Sequence, residues 1–233
     1  MMRSPFTTHG LSFLIVGLWV GALAAQEARD YGGELPRLPA VAAREAVRTM
    51  SVTSDFRMEL AAAEPLVHDP VAMAFDEDAR LYVVEMRGYS EQRDELRGAV
   101  RVLEDVDEDG IFDRSSVLVD KLPWPTAVAC WQGGVFVAAA PDIWYFKDTD
   151  GDGPADVRKK VLTGFSHYNV QAMVNSFRWG LDNRIHGAAS SGGGELRAAD
   201  SEGGKVLKLR LRDFAFDPRT MEFTATTEGG QHG

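Results

Sequence analysis

One loop of alternating carboxylates occurs twice in this chain, and it constrains the fold more than any other feature. Asp105, Asp107, Asp109, Gly110 and Asp113 recur 43 residues later as Asp148, Asp150, Asp152, Gly153 and Asp156. Both copies read DxDxDGxxD, and the match extends into the flanks. Val100, Val102 and Leu103 are answered by Ile143, Tyr145 and Phe146, and Leu118, Val119 and Leu122 by Val161, Leu162 and Phe165. Apolar runs on either side of a Gly-bearing polar loop read as strand, loop, strand. A unit of this kind buries its apolar face only against a neighbour, so a period in the forties predicts blades of a β-propeller.

A second repeat supports the first. Val71 to Phe75 and Leu81 to Val84, joined by a turn at Asp76 to Ala79, correspond to Thr126 to Cys130 and Phe136 to Ala138 across Gln132 to Gly134. They correspond again to Ser176 to Trp179 and Ile185 to Ala188 across Asp182 and Asn183. Each is a predicted hairpin. The third unit is expected to continue through Lys205 to Arg212 and Met221 to Thr226. The fold class is therefore all-β, a partial β-propeller of about three blades over residues 51–233. A closed ring takes roughly four to eight blades, so the expectation is the amino-terminal part of a longer protein; a complete small domain is the alternative.

Arg3 followed by an uncharged run from Leu11 to Ala25, ending in small residues, predicts a secretory signal over residues 1–25 and an exported protein (periplasmic, cell-surface or secreted). An uncleaved anchor is the alternative, although the run is shorter than the ~20 residues a spanning helix needs. Residues 26–50 read as a linker followed by a short helix from Ala40 to Met50 with Pro39 at its first turn, and strand chemistry begins at Ser51, with alternation at Phe56, Met58 and Leu60. The net charge of −10 excludes a nucleic-acid partner, whose phosphates need a basic face. Cys130 is the only cysteine, so no internal disulfide forms; in its apolar run it reads as a buried hydrophobe rather than a nucleophile.

Alternate carboxylates on a tight turn converge oxygens, and calcium takes six to eight such ligands. Asp105, Asp107, Asp109 and Asp113, and likewise Asp148, Asp150, Asp152 and Asp156, are thus candidate calcium ligands, with a solvated, ion-free turn as the plainer alternative. They are not EF-hands, because the twelfth position is Ser116 or Lys159 instead of Glu. The spacing resembles the calcium hairpins of integrin-type propellers. Glu108 stands in the first loop where a small residue is usual, which makes the second loop the better site.

The stretches DPVAMAFDEDARLYVVEM, VRVLEDVDEDGIFD, LPWPTAVACWQGGVFVAAAPDIWYFKDTDGDGPADV and NVQAMVNSFRWGLDNRIHGA together resemble the amino-terminal propeller of PVC-type haem-binding proteins, also called membrane-bound dehydrogenase-like proteins. That propeller is similar to glucose and sorbosone dehydrogenases, which use pyrroloquinoline quinone. The resemblance implies oxidation of a sugar or polyol, with electrons passed to a haem-bearing module outside this chain, since one cysteine provides no CxxCH. It also implies roles for the segment at His167, Tyr168, Asn169, Val170 and Gln171, where such dehydrogenases carry His, Arg, Asn, x, Gln. His167 would be the catalytic base, and Asn169 and Gln171 would bind the quinone. Tyr168 replaces the arginine that would pair with an anionic quinone. A non-catalytic, calcium-stabilised propeller that binds polysaccharide or a protein is the alternative.

Other polar residues lack partners at chemically useful spacing. Gly192, Gly193 and Gly194 follow no strand-to-helix pattern and form no phosphate loop. His68, His186 and His232 are isolated in sequence, and nothing adjacent pairs Glu64, Glu85 or Glu104. Arg178 beside Trp179 reads as structural, and Trp124, Trp131, Trp144 and Trp179 read as blade packing.

Overall fold

The computed structural model describes Gly33, residues 38–201 and residues 203–228. The expected signal and most of the expected linker lie outside the described residues, as does His232. Residues from Ala42 onward form one compact unit. No helix among the described residues is long and apolar enough to cross a membrane.

The expected helix shrinks to α1 (Ala43–Ala46) and a 3-10 turn at Val47–Thr49. Ala42 supplies no side-chain cap and no residue of α1 is buried, so neither capping nor packing extends it. The expected strand at Phe56, Met58 and Leu60 is not a strand either: residues 51–69 carry no ladder, and Phe56 and Met58 are exposed. Alternation in sequence becomes a strand only where a neighbour supplies hydrogen bonds.

From there the chain builds antiparallel sheets. Blade 1 is β1 (Pro70–Phe75), β2 (Leu81–Glu85), β3 (Gly98–Glu104) and β4 (Arg114–Leu122), paired in that order. Blade 2 is β5 (Ala127–Trp131), β6 (Gly134–Ala139), β7 (Asp142–Lys147) and β8 (Val157–Phe165). Blade 3 opens with β9 (Asn175–Trp179) and β10 (Ile185–Ala188). The chain then leaves it to lay β11 (Gly194–Ala198) and β12 (Leu207–Lys208) onto β8, and returns as β13 (Arg212–Phe216) and β14 (Phe223–Glu228). Sheet 2 therefore has six strands. Sequence alone placed Lys205 to Arg212 in the third unit and missed β11. Its Gly194, at φ +142°, and Gly164, at φ +107°, lie where a Cβ would meet backbone at 2.0–2.2 Å, so the two strands cross only because both are glycine.

The fold is a three-bladed, open β-propeller arc, and every predicted hairpin is present. Cross-strand register defines two faces per blade. In blade 1, Ala72, Val84, Val100 and Val119 share the face toward blade 2, where they pack with Val128, Val135, Val137 and Phe146. Between blades 2 and 3 lies the larger core, built around Phe136, Phe177, Phe214 and Phe216. Each interface buries one alternating row per strand, the arrangement a period-2 pattern dictates.

Contacts between blades also fix which loops share an end. Thr126 Oγ1, ahead of β5, donates to Val174 O, ahead of β9, at 2.5 Å, and Arg93 Nη2 donates to Ala140 O at 2.8 Å. These belong to the end that carries the long connections 86–97, 166–174 and 189–193. At the opposite end the rings of Trp131 and Trp179, the last residues of β5 and β9, meet tilted at 42° with centroids 5.5 Å apart. That end carries the short hairpin turns and both acidic loops.

Candidate functional site

The acidic loops join β3 to β4 and β7 to β8, and they are copies in geometry as well as in sequence. Gly110 N donates to Asp105 Oδ2 at 2.8 Å, and Gly153 N to Asp148 Oδ2 at 2.8 Å. Val106 N donates to Asp113 Oδ2 at 2.8 Å and Thr149 N to Asp156 Oδ2 at 2.7 Å; Thr149 Oγ1 adds a bond to Asp156 Oδ1. Each loop turns at two left-handed positions, Glu108 (φ +61°) and Gly110 (+89°) in the first, Gly151 (+79°) and Gly153 (+106°) in the second. A side chain at such a φ costs about 1–2 kcal/mol. Glu108→Gly is therefore expected to raise stability by roughly 1 kcal/mol or less and Gly153→Ala to lower it by about 1–2 kcal/mol, read from urea midpoints.

Of each set of four predicted ligands the loops bring three together, and not the same three. Carboxylate oxygens of Asp105, Asp107 and Asp109 lie within 4.8 Å of one another, as do those of Asp148, Asp150 and Asp156. Asp113 and Asp152, the fourth candidate ligand of each loop, fall outside these clusters. Asp113 Oδ2 accepts from the Val106 amide, as Asp156 Oδ2 does from Thr149 N, so that bond is not what separates the two loops.

Two electrostatic tendencies oppose each other here. Backbone N–H donors, Gly153 for Asp148 and Thr149 for Asp156, hold those two carboxyls below their usual range. The neighbouring charges of Asp109 and Asp150 push Asp107 and Asp152 up. A lowered carboxyl contributes stability above its unfolded pKa and loses it as pH falls through the folded value. A raised one opposes folding at neutral pH, and that opposition fades as pH falls through its folded value. In chelator, Asp152→Asn is thus expected to raise the melting temperature at neutral pH, and to raise it less in mild acid. Asp148→Asn is expected to lower the neutral-pH value.

The His167 segment lies at the other end of the blades, on the loop that leads into β9. His167, Asn169 and Gln171 are all exposed there, and Tyr168 is 77% exposed. No hydrogen-bond or charge partner faces the His167 imidazole among the described residues. Asn169 Oδ1 caps the short 3-10 turn Val170–Ala172 by accepting from Gln171 N at 3.0 Å. The structure thus puts the three predicted site residues on one loop but does not arrange them as a base with an orienting group. The glycines dismissed as a phosphate loop prove to hold this segment. Ser166 N donates to Gly193 O at 2.9 Å, and a Cβ on Gly192 would meet Ala172 O at 2.2 Å.

Several residues read as isolated are in fact paired. His186 Nε2 lies 3.1 Å from Asp182 Oδ1, a hydrogen bond that lowers the Asp182 pKa. His68 lies 3.4 Å from Glu64, and Arg114 3.3 Å from Glu104. Glu85 is completely buried between Arg87 and Arg101 and also accepts from His68 N at 2.7 Å. Sequence spacing gave no hint of that cluster, since Arg101 enters from the adjacent strand. Arg178 donates Nη1 to Phe177 O rather than lying on Trp179. Trp124 is buried, while Trp179 is 46% exposed and so is only partly blade packing. Burial pushes the Cys130 thiol up to about 12, which leaves it an inert hydrophobe at neutral pH.

Among solved structures, the chain is similar to the calcium structure of a Trichoderma reesei protein of Carbohydrate-Active Enzymes Family AA12, at 16% identity and a TM-score of 0.46, covering 69% of this chain and 38% of that one. It is similar to the holo PQQ domain of pyranose dehydrogenase from Coprinopsis cinerea, at 14% identity and TM-score 0.45, covering 70% and 36%. A polysaccharide lyase of family PL25, an ulvan lyase, follows at 10% identity and TM-score 0.37, covering 67% and 41%. The chain spans less than half the length of these structures. No curated protein matches. Residues 42–233, the whole of the compact unit, match the domain of unknown function DUF7133, and the chain belongs to that family.

Proposed function

We propose that this is the propeller domain of an exported oxidoreductase acting on a sugar or polyol, with its binding face at the end that carries the 166–174 loop. The observation that carries this reading is the division of labour between the two ends. Exposed polar side chains of His167, Asn169 and Gln171 occupy the end with the long connections, where function concentrates, and the acidic loops occupy the other. Calcium, held by Asp105, Asp107 and Asp109 and by Asp148, Asp150 and Asp156, is then structural and cancels carboxylate repulsion far from the chemistry. A haem-bearing electron acceptor outside this chain, as in PVC-type haem-binding proteins, belongs to the same proposal.

The quinone fits in part only. Asn169 and Gln171 offer amide groups suited to quinone oxygens, but Tyr168 supplies no cation for its carboxylates, and Arg87 and Arg101 are committed to Glu85. That no partner faces the His167 imidazole among the described residues favours a second reading, a calcium-stabilised propeller that binds polysaccharide or a protein without chemistry.

The test is dye reduction by the calcium-loaded full-length protein, with and without pyrroloquinoline quinone, across aldoses and polyols. Quinone-dependent turnover that drops at least about 100-fold in His167→Ala supports the oxidoreductase. Folded, calcium-loaded protein with neither quinone binding nor turnover leaves the binding module.

A further inference from the structure

The second acidic loop fastens blade 2 to blade 1: Ala155 N donates to Leu118 O on β4 at 2.7 Å. The first acidic loop makes the same bond at the same repeat position, 43 residues earlier, from Phe112 N to Ala61 O at 2.9 Å. Ala61 precedes β1 at Pro70 by nine residues, and Leu118 precedes β5 at Ala127 by nine. Residues 57–65 therefore stand to blade 1 as Arg114–Leu122, the whole of β4, stands to blade 2. They occupy the place of an outer strand with no blade attached to it.

The face beside them is open in a matching way. By this shift of 57 residues, two more than the 55 of the hairpin repeat read from the sequence, Val71 and Met73 on β1 take the places of Val128 and Cys130 on β5. Val128 is 4% exposed and packs on blade 1, whereas Val71 is 50% and Met73 66% exposed. Phe75 is exposed too, and lines a groove of about 790 Å³ with Ala61 and Phe112. Only the outer half of the face, Leu81, Val83 and Leu103, is covered, in part by Ala62 and Val67. Leu60 and Ala62 correspond to Val117 and Val119, which pair with β3. Their own backbone N–H groups meet no backbone acceptor among the described residues.

We propose that residues 57–63 are the outermost strand of a further blade, and that the open face of β1 seats its inner strands. The occupant is a three-stranded antiparallel meander with one alternating apolar face, which pairs its outer edge with Leu60 and Ala62. This continues the interface already seen between blades 1 and 2. A second copy of the chain is disfavoured by chemistry. The face of blade 3 turned away from blade 2, which a head-to-tail copy would present, carries exposed Arg178 and Thr224 and half-buried His186 in one cross-strand row with Ala215, itself buried. Pressing the Arg178 guanidinium onto Met73 and Phe75 would bury an unpaired charge.

The test is amide hydrogen exchange on the protein purified from its native source. The Leu60 and Ala62 amides are expected to exchange as slowly as those of Val117 and Val119, at least about 100-fold slower than those of residues 52–55. Met73→Asp with Phe75→Asp should free them while β2, β3 and β4 stay protected, because both side chains are exposed in the lone domain. Exchange of Leu60 and Ala62 at the rate of residues 52–55 in the unmodified protein overturns the proposal. So does protection that depends on protein concentration and is accompanied by dimerisation, which would make a second copy the occupant.

Discussion

Glu85→Ala is expected to lower the unfolding free energy by about 3–5 kcal/mol, measured by urea denaturation with tryptophan fluorescence. The carboxylate is fully buried at the end of β2, on the face of blade 1 that residues 61–69 cover. It accepts from His68 N at 2.7 Å and from Arg87 Nη2. Arg101 Nε lies 3.0 Å away, close enough for strong attraction yet out of line for a hydrogen bond. Arg101 turns its Nη1 to Ser115 Oγ at 3.2 Å. Removing Glu85 leaves two largely buried guanidiniums facing each other and detaches the chain that leads into β1. Glu85→Gln keeps volume and an acceptor but not charge, so it should fall between alanine and wild type. A loss below about 1 kcal/mol for alanine would mean that water or a counter-ion replaces the carboxylate, and that the cluster does not hold residues 61–69.

Phe216→Ala is the second large effect, expected at about 3–5 kcal/mol by the same measurement. Phe216 is fully buried on β13, yet its closest ring partner is Phe136 on β6, edge-on at 5.2 Å, and Phe177 on β9 lies at 6.0 Å. It joins two blades, so the cavity left behind cannot collapse without separating sheets that their own hydrogen bonds keep rigid. A double-mutant cycle with Phe136→Leu and Phe216→Leu should give a coupling of about 0.5–1.5 kcal/mol, the increment of a ring pair beyond area burial. Additive losses in that cycle would show that the blades are joined by area alone.

The elements legible in the sequence are those whose partner is close along the chain. Both acidic hairpins and all three inner hairpins follow from alternation and turn residues, because a hairpin's register is settled within about twenty residues. The acidic loops were readable for the same reason, and Glu108, read as standing where a small residue is usual, sits at a φ of +61°. The candidate residues His167, Asn169 and Gln171 came from resemblance, and the structure places them on one exposed loop. Their lack of an orienting partner depends on what folds against that loop, which spacing does not encode.

The chain by itself determined a repeat, an all-β class and alternating faces that must be buried against neighbours. Tertiary structure alone decided which neighbours. Residues 51–69, with strand-like alternation, found no ladder and remained irregular, while β11 and β12 crossed back to extend blade 2. Glu85, unpaired in sequence, became the centre of a buried ion cluster because β3 brings Arg101 beside it. The physical reason is common to all three: period and turn chemistry act over a few residues, whereas hydrogen-bond satisfaction and charge pairing are properties of whichever surfaces meet.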